Sequence, residues 1–176
     1  MTKEAWTRRT FAGLGAFLAL LALVLMPRVI AGDTAQVNVL ANVLGTCKFV
    51  SGATLNFGNL DPSVGTDANA TTSLQFWCTR GASYTITDNN GQNSSGTTQR
   101  MKHATVATEL IPYSYCYTSS GPAPTPCTTD TTSVTGTGSG PQNPITLNIS
   151  GTITGSNYTN ALVGSYSDTV NMNITP

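Results

Sequence analysis

The side chains able to do chemistry are few. The chain holds four cysteines, a single histidine and eight carboxylates. A nucleophile site would need a base and an orienting acid. His103 with Ser94 or Asp88 is formally available, but no Gly-x-Ser-x-Gly elbow exists to present a serine. A single histidine beside the strand-like "RMKH" (100–103) reads as a surface or packing residue. Glycoside chemistry needs two carboxylates set across a sugar bond, and no arrangement of acids stands out. A metal site would call for close spacing such as Cys-x-x-Cys, which is absent. The expectation is no catalytic residue, no metal and no cofactor. Trp77 with Tyr113, Tyr115 and Tyr117 could make a platform for sugars. Their alternate spacing fits a strand whose aromatic face turns to a core instead.

The cysteines have a simpler use. Cys47, Cys78, Cys116 and Cys127 form an even set in an exported chain, which reads as a disulfide framework. Three pairings are open. The favoured one is Cys47–Cys78 with Cys116–Cys127, the second closing the Pro- and Gly-rich "CYTSSGPAPTPC". Loop closure makes the short ring worth roughly 3 kcal/mol and the longer one roughly 4.

Export is read from the first residues. Lys3, Arg8 and Arg9 precede an apolar run over 11–26, and "PRVIAG" places small residues Val29 and Ala31 before a cleavage point. Residues 1–31 are read as a signal peptide, too short in its apolar part for a spanning anchor. "TRRTF" partly resembles a twin-arginine signal, but paired arginines are common in such regions and the general secretory route is expected. Cleavage removes Lys3, Arg8, Arg9, Arg28 and Glu4, leaving four basic and seven acidic residues and a net charge of about −3. Four dispersed cations cannot track phosphates, so nucleic acid is a poor partner. A membrane surface would also lack its basic face.

The elements that must position these residues are strands. Period-two runs place Leu74, Phe76 and Cys78 on one face, and likewise Tyr84 with Ile86. The same spacing groups Ile111, Tyr113, Tyr115 and Tyr117, then Ile145, Leu147 and Ile149, then Val170, Met172 and Ile174. Pro112 marks a strand start or edge. Turn-rich "DNNGQNSSG", "TGTGSGPQN" and "GSN" separate the runs. No apolar spacing of three and four persists. An all-β fold follows, a single antiparallel β-sandwich, without repeats.

Two ends of this sandwich look unmatched. "DTAQVNVLANVLGTC" (33–47) alternates Val37, Val39, Ala41 and Val43 against Asn38, Leu40 and Asn42. It is either the first strand of the protein's own sheet or a strand meant for another molecule. The last strand-like run reaches Ile174, and the chain as read offers nothing further to cover it. An open apolar edge attracts foreign strands, and a donated strand is one solution.

The order of motifs resembles the spore coat protein U domain family. "GTCKF" (45–49) and "TLNFGNLDP" (54–62) are followed by "FWCTRGASYTIT" (76–87), "NNG" (89–91), "RMKH" and "LIPYSYCY" (110–117). "GSYSDTVNMNI" (164–174) is similar to the family's closing Gly-x-Tyr-x-Asp-Thr-Val signature. The resemblance spans almost all of the exported part. The ring between Cys116 and Cys127 and the "TGTGSGPQN" connection depart from it.

The resemblance implies an incomplete immunoglobulin-like antiparallel β-sandwich, completed by a donor strand from a neighbouring subunit. It implies a signal peptide (1–31), a donor extension (32–45) and a pilin-like domain (46–176). The function implied is a structural subunit of a surface pilus, built by donor-strand exchange and supporting adhesion or biofilm formation. The partners implied are homologous subunits in a head-to-tail polymer, a periplasmic chaperone and an outer-membrane usher. Val37, Val39, Ala41 and Val43 would fill pockets in a neighbour. Val170, Met172 and Ile174 would line the acceptor groove. Cys47–Cys78 would anchor the base of the extension. The chain would pass through the periplasm to the cell surface. A spore or envelope coat protein is the alternative, and a carbohydrate-binding adhesin domain a further one. Asn69, Asn93, Asn148, Asn157 and Asn173 begin Asn-x-Ser/Thr sequons, of consequence only in a eukaryotic secretory host.

Overall fold

The computed structural model describes residues 32–176. The expected signal peptide lies outside the described residues. The described chain divides between Ala41 and Asn42. Residues 32–41 carry no strand, and Val37 and Val39 are 80% and 88% exposed.

The body from Asn42 is a β-sandwich of two antiparallel sheets. Its strands are β1 (Cys47–Phe49), β2 (Ala68–Cys78), β3 (Ser83–Asp88), β4 (Gln99–His103), β5 (Leu110–Thr118), β6 (Ser133–Thr137), β7 (Ile145–Ile153), β8 (Tyr166–Ser167) and β9 (Met172–Thr175). Every pairing is antiparallel. The large sheet runs β1-β2-β7-β5-β4-β8, and the small one β6-β3-β9. Antiparallel sheets with one face inward need alternating side chains, and β2, β3, β5 and β7 supply them.

The inward residues meet in one core. Phe76, Ile86, Leu147 and Ile153 are fully buried, with Leu74, Tyr84, Ile111, Tyr113, Tyr115, Tyr117 and Ile149 around them. Phe76 of the large sheet meets Tyr84 of the small one edge to face, with centroids 4.9 Å apart. This geometry aims a ring edge at the negative face of its neighbour. Gly151 lets Leu55 and Phe57 lie close against β7: a Cβ there would meet the tips of both side chains and push them away.

Both disulfides form as favoured, Cys47 with Cys78 and Cys116 with Cys127. The first joins facing residues of β1 and β2. The second fastens the 119–126 loop across the outward face of β5 and β7. Asn148 donates to the Gly121 carbonyl, Ser150 to the Pro124 carbonyl, and the Cys127 amide to Thr152 Oγ1. Ser150 is thereby fully buried on the face a two-layer sandwich would leave wet.

The structure departs from the sequence reading at 135–143. This stretch was expected as a connection, yet its first residues complete β6. Glycine discourages a strand on its own. Here Gly136 lies against the Tyr84 ring, where any Cβ would overlap the phenol. The close approach selects glycine.

Leu147→Ala empties a fully buried site at the centre of the large sheet. Urea unfolding of the oxidised protein is expected to show a loss of about 2–5 kcal/mol.

Candidate functional site: an open groove

The core is not sealed on one side. After β1 the chain runs through 50–61 without forming strand, apart from the Val50 amide donating to the Gln75 carbonyl at 2.7 Å. On the opposite side it leaves β8 at the edge of the large sheet and reaches β9 at the edge of the small one. Residues 168–171 make that crossing outside any strand. Among the described residues these two segments are not paired with each other.

Between them lies a groove of about 710 Å³. Phe49, Leu55 and Phe57 form one wall and Asp168–Met172 the other. Its floor is Leu74, Met101, Tyr113, Tyr115 and Ile149. A second cavity of about 410 Å³ continues from it, sharing Phe57 and Met101, and is bordered by Leu60, Pro62, Leu162, Val163 and Tyr166. Val163 is 91% exposed. The first cavity lies along both unpaired segments, and the second follows 57–62 on one side and 161–166 on the other.

Alternation explains both walls. Leu55 and Phe57 turn inward while Asn56 faces out, its Oδ1 accepting the Gly58 amide at 2.9 Å. Val170 and Met172 turn inward between exposed Thr169, Asn171 and Asn173. An extended strand laid between the walls would have side-chain sites on its inner face and a backbone edge on either hand.

Two tyrosines of β5, Tyr113 and Tyr115, lie in the floor, and Tyr117 continues the row into the core beyond it. Burial pushes the hydroxyls of Tyr113, Tyr115 and Tyr117 above their ordinary value near 10. For Tyr113 the bond it donates to Asp168, at 2.8 Å, adds to this. All three are buried in the core, which removes them as a sugar platform. Trp77 is half-buried opposite Lys48.

The remaining chemical candidates have structural work. His103 is buried, and its Nδ1 accepts the amides of Thr105 and Val106 at 3.2 and 3.1 Å. Nε2 therefore carries the proton and donates to the Val163 carbonyl at 3.2 Å. The ring also meets Tyr166 edge to face. Ser94 donates to the Gly91 carbonyl, and Asp88 accepts the Asn90 amide. Neither bond involves His103.

Of the residues expected to line a groove, Val170 and Met172 do so. Ile174 lies further along β9, opposite Ile86 and packed on the core. Val43, within the body, is 80% exposed, and Ala41 is exposed too. Sequence reasoning missed the second wall and the floor. Leu55 and Phe57 stood inside a quoted motif, and their spacing of two was the available signal.

Residues 33–173 match the Spore Coat Protein U domain family profile. No curated relative matches the sequence. Among solved structures the chain is similar to the CsuC–CsuE chaperone–tip adhesion subunit pre-assembly complex from archaic chaperone–usher Csu pili of Acinetobacter baumannii. The identity is 20% and the TM-score 0.47, over 75% of this chain and 40% of that one. It is also similar to a chaperone–tip adhesin complex described as vital for synergistic activation of CFA/I fimbriae biogenesis. There the values are 15% and 0.48, over 75% of this chain and 41% of that one. The chain thus spans about two fifths of the length of these structures.

The three tyrosines give a test of this buried row, of which Tyr113 and Tyr115 belong to the floor. Their folded-state values lie above the unfolded value near 10. Stability from keeping them protonated is complete below pH 10 and falls as pH rises beyond it, because the unfolded chain releases these protons first. Phenolate absorbance of these residues is expected to appear together with loss of circular dichroism, in one alkaline transition.

Proposed function

Because the chain belongs to the Spore Coat Protein U domain family, we propose that it is a structural subunit of a surface pilus or fimbria. Assembly is by donor-strand exchange along a chaperone–usher pathway. The observation that carries this reading is the open groove, apolar in its floor and flanked by two segments with no strand between them. The subunit's own 33–44 is the strand to be donated, with Val37, Val39, Ala41 and Val43 facing the neighbour's core.

Size and chemistry agree. Twelve extended residues span roughly 40 Å. Each buried valine contributes about 1.5–3 kcal/mol, and the backbone gains ladder bonds on both sides. A periplasmic chaperone would supply a temporary strand and an outer-membrane usher would catalyse the replacement. The product supports adhesion or biofilm formation.

On this reading the donated strand also has a direction. The extension leaves the body beside Thr79, whose Oγ1 accepts the Thr46 amide. That is the Phe49 and Met172 end of the groove. An incoming strand's parent body cannot occupy the end from which the acceptor's own extension departs. It must stand beyond Leu162 and Val163. The donated strand then runs antiparallel to 168–172, the slightly better pairing. Such a contact is heterologous and does not close, so it propagates as a fibre.

Protein sheared from cells and run unheated on an SDS gel is expected to form a ladder that collapses to monomer on boiling. Monomer in both lanes would favour the coat-protein alternative. Val39→Asp places a charge where an apolar pocket is expected, and is expected to abolish the ladder while the chaperone-held subunit stays folded. A normal ladder from this variant would remove Val39 from the donor strand.

A further inference from the structure

The rim at 168–171 lacks a strand neighbour, yet it must hold its shape for a strand to pair with it. What holds it is the turn after β3. The Asn89 amide donates to the Asn171 carbonyl at 3.2 Å, and the Asn171 amide to Asn89 Oδ1 at 2.9 Å. The Gln92 amide donates to the Thr169 carbonyl at 3.1 Å. The rest of the attachment converges on one side chain. Asp168 Oδ1 accepts from the amides of Gln92 and Asn93 at 3.0 and 3.2 Å and from Asn93 Nδ2 at 2.9 Å. Its Oδ2 accepts from the Tyr113 hydroxyl at 2.8 Å. Arg100 Nε, from β4, secures the Asn93 carbonyl at 2.9 Å.

The surroundings are cut to this carboxyl. Gly91 has φ +85°, and a Cβ on it would overlap Asp168 Oδ2. Asp168 itself lines the groove. It therefore joins three parts at one point: the turn behind the rim, the rim, and the floor at Tyr113. The last bond matters when a strand arrives. Covering the groove would strand the Tyr113 hydroxyl without water unless a partner were already in place.

We infer that Asp168 is a positioning residue for strand acceptance: it fixes the rim in register before a strand binds and supplies the acceptor that lets Tyr113 be covered. This rests on the donor-strand reading above. Preorganisation of this kind shows in capture of the strand, beyond any change in overall stability.

The test uses the full exported chain carrying Val39→Asp, so that its own extension does not compete. The probe is a fluorescent peptide of sequence 33–44. Three further changes are made in this background. Asp168→Ala removes the hub, Tyr113→Phe removes only the floor bond, and Ile153→Val loosens the core at a buried residue outside the groove lining. Measurements are made where each variant is fully folded by urea titration. Asp168→Ala is expected to slow peptide capture about tenfold, and Tyr113→Phe about threefold. Ile153→Val should stay within about twofold. Amide hydrogen exchange at Thr169, Val170 and Met172 in the peptide-free protein should rise in the first two variants only. If Asp168→Ala does not fold, Tyr113→Phe against Ile153→Val decides. Capture by the Asp168 and Tyr113 variants at the Ile153→Val rate, with unchanged exchange, overturns the inference alone. Failure of the background chain itself to capture the peptide overturns the donor-strand reading beneath it.

Discussion

An apolar sheet face must be covered, and a strand edge must be paired. The rest of this structure depends on the one place where both demands stay open. Between 50–61 and 168–172 the sandwich has a floor of leucine, isoleucine and tyrosine with no strand across it. A backbone edge exposed to water is tolerable, because water satisfies its N–H and C=O groups. Most of the floor is already buried in the single chain, but Met101 and the wall residues Leu55, Phe57, Val170 and Met172 stay half-exposed, and that apolar area has a cost until something covers it. The groove is therefore a site with a driving force for cover, and an extended chain is the cover proposed for it.

The domain tolerates this opening because its stability is concentrated elsewhere. Phe76, Ile86, Leu147 and Ile153 are fully buried, and none borders the groove. β2 and β7 pair over nine residues through the middle of the large sheet. The loop closed by Cys116 and Cys127 lies over the outer face of β5 and β7, giving the sheet cover on that side too. A compact half with sealed faces supports a half that stays open. The turn 89–93 serves the open half, holding the rim that no strand holds.

Much of the sandwich was legible in the sequence because period-two alternation is a local signal. The faces of β2, β3, β5 and β7 were read directly, as were the cysteine pairs, since the spacing of Cys116 and Cys127 permits a small ring. The groove was only half legible. Val170 and Met172 declared themselves through alternation, whereas Leu55 and Phe57 sit among Asn, Gly and Asp that signal turn. β6 was hidden because its glycine answers a tyrosine about fifty residues away in the chain, which no local pattern reports. The role of Asp168 was likewise hidden. Its partners come from the turn after β3 and from β5, and only the fold brings them together.

In a fibre of the proposed kind, tension would pass along the donated strand and into the body through residues 44–46. The attachment point is suited to that load. Cys47 begins β1 and is bonded covalently to Cys78 at the end of β2. β1 itself pairs over only three residues and would peel one bond at a time if it carried the force alone. The disulfide bypasses it and delivers the pull to β2, whose ladder with β7 is long and central to the large sheet. A long ladder pulled along its strands loads many hydrogen bonds together. The groove, in turn, would hold the incoming strand by several side chains and two edges acting at once. Neither joint then depends on a single weak contact, although no bond between subunits is covalent.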